Sequence, residues 1–171
     1  MENPLLSVVV PVKDEDRLLE DALHVLTEIQ SVVPNLEILV INDGSSPSFV
    51  RKLRKWQALI LNLRIYRGPG LGLGSARNAG LDLARGKYVF FLDFDDSLCF
   101  DSFKECLRLL ESSSADFLHF RERRFKSSGK DMVWASDTNF EAEELSSKDL
   151  LRRWAASGFW DSSICHQISR R

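Results

Sequence analysis

The chain has 171 residues, 44% of them hydrophobic and 28% charged, with a formal net charge of −2. That is enough chain for one domain with its own core, and the composition is that of a globular protein. It excludes a surface charged for nucleic acid, and no apolar run approaches the roughly 20 residues that span a membrane.

The N-terminal segment MENPLLSVVVPVK lacks the basic start and long apolar run of a secretion signal. Three cysteines, Cys99, Cys106 and Cys165, form no CxxC pair, so the expected setting is reducing and cytoplasmic. Residues 7–12, SVVVPV, make a continuous β-branched run, the pattern of a strand covered on both faces. DEDRLLEDALHVLTEIQ then puts Leu18, Leu19, Ala22, Leu23, Leu26 and Ile29 on one helical stripe, with acids in its first turn. LEILVI (36–41) reads as a second buried strand, closed by the turn residues NDGSSP (42–47). A helix through Phe49, Val50, Leu53 and Trp56 leads to a third strand, LNLRIYR (61–67).

The loop RGPGLGLGS opens a helix through Ala76, Ala79, Leu83 and Ala84, with Gly86 as its expected terminator. The fourth strand is expected near 87–92, followed by the helix FDSFKECLRLLESS. This β-α-β-α-β-α-β alternation predicts an α/β fold, a Rossmann-like, mostly parallel sheet flanked by helices. The pattern changes at residue 115. ADFLHFRERRF and DMVWAS flank SSGK as a strand pair, with the first strand near 115–120. EELSSKDLLRRWAAS is helical, capped by Ser146 or Ser147. The basic cluster RERRFK (121–126), interrupted by Glu122, reads as a solvated face.

Ligands of such sheets bind beyond the carboxyl ends of the strands, and polar clusters stand at three of those ends. They are Pro11-Val12-Lys13-Asp14-Glu15, Asn42-Asp43-Gly44-Ser45 and Asp93-Phe94-Asp95-Asp96. One Asp after a strand is most often a turn former or cap. Three carboxylates within four positions are different, because like charges this close need a compensator. Mg²⁺ or Mn²⁺ is the natural one, bridging Asp95 to a diphosphate. In GPGLGLGSARNAG (68–80) the glycines allow close backbone approach to a ligand, with Arg77 one turn into the helix. A flexible loop explains the same glycines. They follow the third strand rather than the first, so a dinucleotide fingerprint is set aside.

Together SVVVPVKDE, ILVINDGSSP, GLGSARNAGLDLARGKY and VFFLDFDD resemble the family 2 glycosyltransferases of GT-A fold, in order across roughly residues 5–100. The resemblance implies a nucleotide-sugar-binding half over residues 1–114 and part of an acceptor-side half of the same domain over 115–171. It implies inverting, metal-dependent transfer from a nucleotide-diphosphate sugar, with UDP favoured, to a glycan or glycoconjugate hydroxyl in polysaccharide or glycoconjugate synthesis. Pro11, Val12 and Glu15 would lie along base and ribose, Asp43 at the base edge, and Arg77 near the nucleotide. Asp93 would face ribose and sugar, Asp95 would hold the metal on the diphosphate, and Asp96, the next acid in the DxD motif region 93–96, would orient either and share the metal. Lys13, Asp14, Asn42 and Gly70 depart from the usual residues of these blocks.

An inverting transferase also needs a base for the acceptor hydroxyl. ICHQISRR resembles the segment just before that acid, so the expectation is a chain truncated ahead of its base, with Asp161 the nearest, poorly matching acid. Besides a partner-binding domain without ligand, two other readings remain. One is a non-catalytic nucleotide-sugar-binding remnant. The other is a haloacid-dehalogenase-like phosphatase, with Asp93 as nucleophile and Asp95 as acid/base.

Overall fold

A computed structural model describes residues 3–119, 145, 146, 148, 149, 152 and 167–171. Four strands run parallel, each followed by a helix. They are β1 (Leu6–Val12), β2 (Leu36–Asn42), β3 (Leu63–Arg67) and β4 (Tyr88–Phe91). The helices are α1 (Leu19–Val32), α2 (Pro47–Leu59), α3 (Leu73–Leu83) and α4 (Phe100–Ser112). Two further strands, β5 (Phe117–His119) and β6 (Gln167–Arg170), complete a six-stranded sheet in the order β3-β2-β1-β4-β6-β5. Among the described strands β6 alone runs opposite to the rest, antiparallel to both β4 and β5, pairing Phe90 with Ile168 and Ile168 with Leu118. The expected mostly parallel sheet is the one observed.

The two-sided burial read from SVVVPV has a direct structural cause. Leu6, Val8, Val10 and Val12 join Ile38 and Val40 in the core beneath α1, α2 and α4. Val9 packs on the other face with Leu39, Ile41, Val89 and Phe91 beneath α3. Both sets of β1 side chains therefore leave water, and no polar alternation survives. Ser7 is the exception, held by its partner across the β1–β2 pair: its hydroxyl donates to Glu37 Oε1 at 2.7 Å. That oxygen also accepts the Arg85 N–H at 2.6 Å, so the buried carboxylate is satisfied.

Three boundaries differ from the sequence expectation. Asp14 takes a left-handed φ of 48°, so the chain turns there, makes a short 3-10 turn over Asp16–Leu18, and enters α1 at Leu19. The helix α3 starts inside the glycine loop, at Leu73, and ends at Leu83 with Ala84 already extended. Gly86 is therefore no helix terminator; a side chain there would meet the Ser7 backbone nitrogen at 2.5 Å, so it serves the close approach to β1. Finally, the tail carries an unexpected strand, β6, with Ile168 fully buried. Ser146 does cap, accepting the Asp149 N–H at 3.2 Å. The second hairpin strand 131–136, the cluster 121–126, Ser147, Asp161 and Cys165 lie outside the described residues. Among the described residues no helix is long and apolar enough to cross a membrane.

Candidate functional site

The sheet order reverses at β1. From β1 the chain moves outward to β2 and β3, then returns so that β4 lies on the other side of β1. Such a reversal leaves a crevice at the carboxyl ends, where the flanking loops part in opposite directions. Here β1 and β4 are in register only as far as Val9 and Phe91, whereas β1 stays paired to β2 up to Val12 and Asn42. Pro11, which has no N–H to give a neighbour, therefore sits beyond the end of the β4 pairing. A cavity of about 480 Å³ opens there, lined among others by Pro11, Val12, Glu15, Asp43, Asp93 and Asp95.

The loops after β1 and β2 are tied to each other. Asp14 N–H donates to Ser45 Oγ at 3.1 Å, and Ser46 N–H donates to Asp14 Oδ1 at 2.9 Å. Asn42 Oδ1 accepts the Ser45 N–H at 2.8 Å, closing the turn. Ser46 then caps α2. Asp43, buried, turns away from this knot toward the glycine loop. Its Oδ1 accepts the Gly70 N–H at 2.7 Å and its Oδ2 the Gly72 N–H at 2.8 Å.

The acidic turn is held from below and from the side. Asp96 N–H donates to the Asp93 carbonyl at 3.1 Å. Between the two acids, Phe94 also borders the cavity but packs its ring into the core, stacked on Trp56 at 5.6 Å and tilted against Phe49 at 6.3 Å. The alternation Asp-Phe-Asp thus anchors the turn in the core and presents both carboxylates outward. Asp93 is compensated by protein: Arg77 Nη2, one turn into α3, lies 2.6 Å from its Oδ1 and 2.7 Å from its Oδ2. The pair is only 20% and 27% exposed, so the charge-assisted contact is poorly screened.

Asp95 is exposed at the cavity. Among the described residues no group of three or more His, Cys, Asp or Glu is arranged to hold a metal by protein ligands alone. Mg²⁺ and Mn²⁺ do not require one, since they commonly take one or two carboxylates plus substrate phosphates. Asp95 fits that donor set, whereas Asp96, next in the chain, is not among the residues lining the cavity.

Pro11, Val12, Glu15, Asp43, Asp93 and Asp95 thus come together on one edge, and Arg77 reaches them through Asp93. Sequence reading did not find Phe94 as the anchor, or Asp14 and the Gly70 and Gly72 amides as fasteners. The aromatic in the middle of an acidic triplet was the available signal for the first. A larger cleft, about 1080 Å³, lies at the opposite edge, where Asn35, Arg85 and Lys87 border it. Among the described residues Glu111 is the only acidic side chain lining it, and neither the acidic turn nor the glycine loop does so.

The sequence model of Glycosyl transferase family 2 matches residues 7–170. The putative glycosyltransferase EpsH of Bacillus subtilis (strain 168) is 26% identical over 132 residues, 77% of this chain and 38% of that protein. In structure the chain is similar to S. aureus TarS 1-349, with a TM-score of 0.67 and 23% identity over 96% of this chain and 46% of that one. TarS 1-349 has also been solved in complex with UDP-GlcNAc. The mannosyltransferase PcManGT from Pyrobaculum calidifontis, in complex with GDP-Man and Mn²⁺, gives a TM-score of 0.62 and 23% identity over 72% and 37% of the two chains. Both neighbours have the GT-A fold expected here. The chain spans less than half the length of each of these three proteins.

Proposed function

Because the chain belongs to Glycosyl transferase family 2, we propose that its carboxyl-edge cavity binds a nucleotide-diphosphate sugar, UDP-linked by preference, for inverting transfer to an acceptor hydroxyl. The observation that carries this reading is the meeting of Asp43, the Arg77–Asp93 pair and Asp95 around one cavity at the reversal of sheet order. Pro11, Val12 and Glu15 line the side assigned to base and ribose. Asp93, held by Arg77, would accept hydrogen bonds from ribose and sugar hydroxyls. Arg77 also brings positive charge to the side on which the diphosphate leaves. A Mg²⁺ or Mn²⁺ held by Asp95 and Asp96 would supply charge neutralisation to that leaving group.

In the transfer itself the acceptor oxygen attacks the anomeric carbon, the bond from that carbon to the diphosphate breaks, and a base takes the acceptor proton. Among the described residues no group is assigned as that base, and Asp161, a poorly matching acid outside them, is tested for it by Asp161→Asn. The acceptor class is a glycan or glycoconjugate, and the role one in polysaccharide or glycoconjugate synthesis. The family match speaks against the phosphatase reading of Asp93 and Asp95. The setting proposed is cytoplasmic, on the same cysteine pattern, with no CxxC pair among Cys99, Cys106 and Cys165.

Calorimetric titration tests the reading. UDP should bind in the presence of Mn²⁺, more tightly than GDP, and EDTA should remove most of the affinity. Asp95→Asn should weaken binding more than Asp96→Asn. The opposite order would move the metal to Asp96, and binding indifferent to EDTA would remove the metal from the account.

A further inference from the structure

Asp43 is only 4% exposed, and what it touches is backbone. One carboxylate oxygen accepts from Gly70 and the other from Gly72. The two glycines have φ of +75° and +95°, a region that L side chains rarely adopt, and this winding brings both N–H groups round to one carboxylate. Gly72 is also the residue on which α3 begins. Gly72, Leu73 and Ala76 are what the start of α3 contributes to the lining of the cavity, which Pro11 and Asp93 also line. The same loop approaches β2 once more, where Gly68 N–H donates to the Asn42 carbonyl at 2.8 Å. A negative group bonded to amides at the start of a helix is also favoured by the helix dipole. The carboxylate of Asp43 is therefore the tie between the end of β2 and the wall that α3 gives the cavity.

We propose that Asp43 is a positioning residue for donor binding, acting through the Gly70–Gly72 loop and the start of α3 in addition to any contact with the base. This rests on the donor reading of the cavity. Asp43→Asn keeps one acceptor but turns an amide NH₂ toward the second loop N–H, replacing an attraction by a repulsion. Gly72→Ala reaches the same loop without touching Asp43: an added Cβ meets no protein atom within 4 Å, so in the ligand-free protein it acts through backbone strain, which the exchange rates read without any contact between the methyl and a ligand.

The test combines amide hydrogen exchange without ligand and titrations with two probes, Mn²⁺–UDP and Mn²⁺–pyrophosphate, the second having no base. In both variants the Gly70 and Gly72 amides should exchange about tenfold faster or more, with β1 and β2 unchanged. Affinity for Mn²⁺–pyrophosphate should fall in both variants, and affinity for Mn²⁺–UDP by at least the same factor. A loss confined to UDP, with pyrophosphate binding and loop exchange at wild-type levels, would show that Asp43 acts by touching the base and overturn the proposal. If Asp43→Asn fails to fold, Gly72→Ala decides alone, and wild-type pyrophosphate affinity in that variant is the overturning result. Wild-type protein that bound neither probe would defeat the donor reading, while the exchange rates would still say whether Asp43 holds the loop.

Discussion

Cys106 lies on α4 in the core, 3% exposed. Burial, helped by the neighbouring Glu105 charge, pushes its thiol from 9.0 up to about 11. The folded state therefore holds this proton more tightly than the unfolded chain. Its contribution to stability is complete below pH 9.0 and is lost as pH rises toward about 11. Urea titrations across that window should show wild type losing stability more steeply than Cys106→Ala, whatever the absolute offset between them. Parallel slopes would contradict the assignment. Below pH 8 a thiol reagent should modify exposed Cys99 well before Cys106. At this scale Asp93 and Asp95 were legible, because three carboxylates after a buried strand demand an explanation from charge alone. Asp14 was not. Its left-handed turn is set by Ser45 and Ser46, 31 and 32 positions away, and no local pattern announces such a partner.

The helix α3 offers two glycines with opposite demands. An added Cβ at Gly80 would lie 2.2 Å from Val9 Cγ1, a stiff side chain fully buried in the sheet, whereas at Gly74 it would meet nothing within 4 Å. Gly80→Ala should therefore destabilise by about 1–3 kcal/mol through overpacking. Gly74→Ala, in the first turn, should be neutral or stabilise by up to about 1 kcal/mol through helix propensity. Urea midpoints of the two variants measure this, and equal shifts would mean that α3 does not press on β1 as described. The parallel strands β1 to β4 were legible because runs of β-branched and aromatic residues alternate with helical stripes. The strand β6 was not: QISR has one apolar side chain, Ile168, and its strand character comes from pairing with β4 and β5. Gly86 was misread for a similar reason. A glycine after a helix looks like a terminator, but its cause is a neighbour in β1, far away in sequence.

For the molecule as a whole, the alternation of strands and helices predicted the parallel sheet, and right-handed crossovers limit how its strands can be ordered. The site then follows from topology: reversal at β1 places three polar loops, distant in sequence, around one crevice. What the sequence could not disclose is that a roomier cleft would open at the opposite edge. The two edges make the central claim directly testable by mapping backbone NMR resonances during titration with Mg²⁺–UDP, followed by trace Mn²⁺ as a broadening probe. The account predicts shifts at Val12, Lys13, Glu15, Asp43, Gly72, Asp93 and Asp95, with broadening centred on Asp95. Shifts gathered instead around Asn35, Arg85 and Lys87, or no shifts at saturating nucleotide, would contradict it.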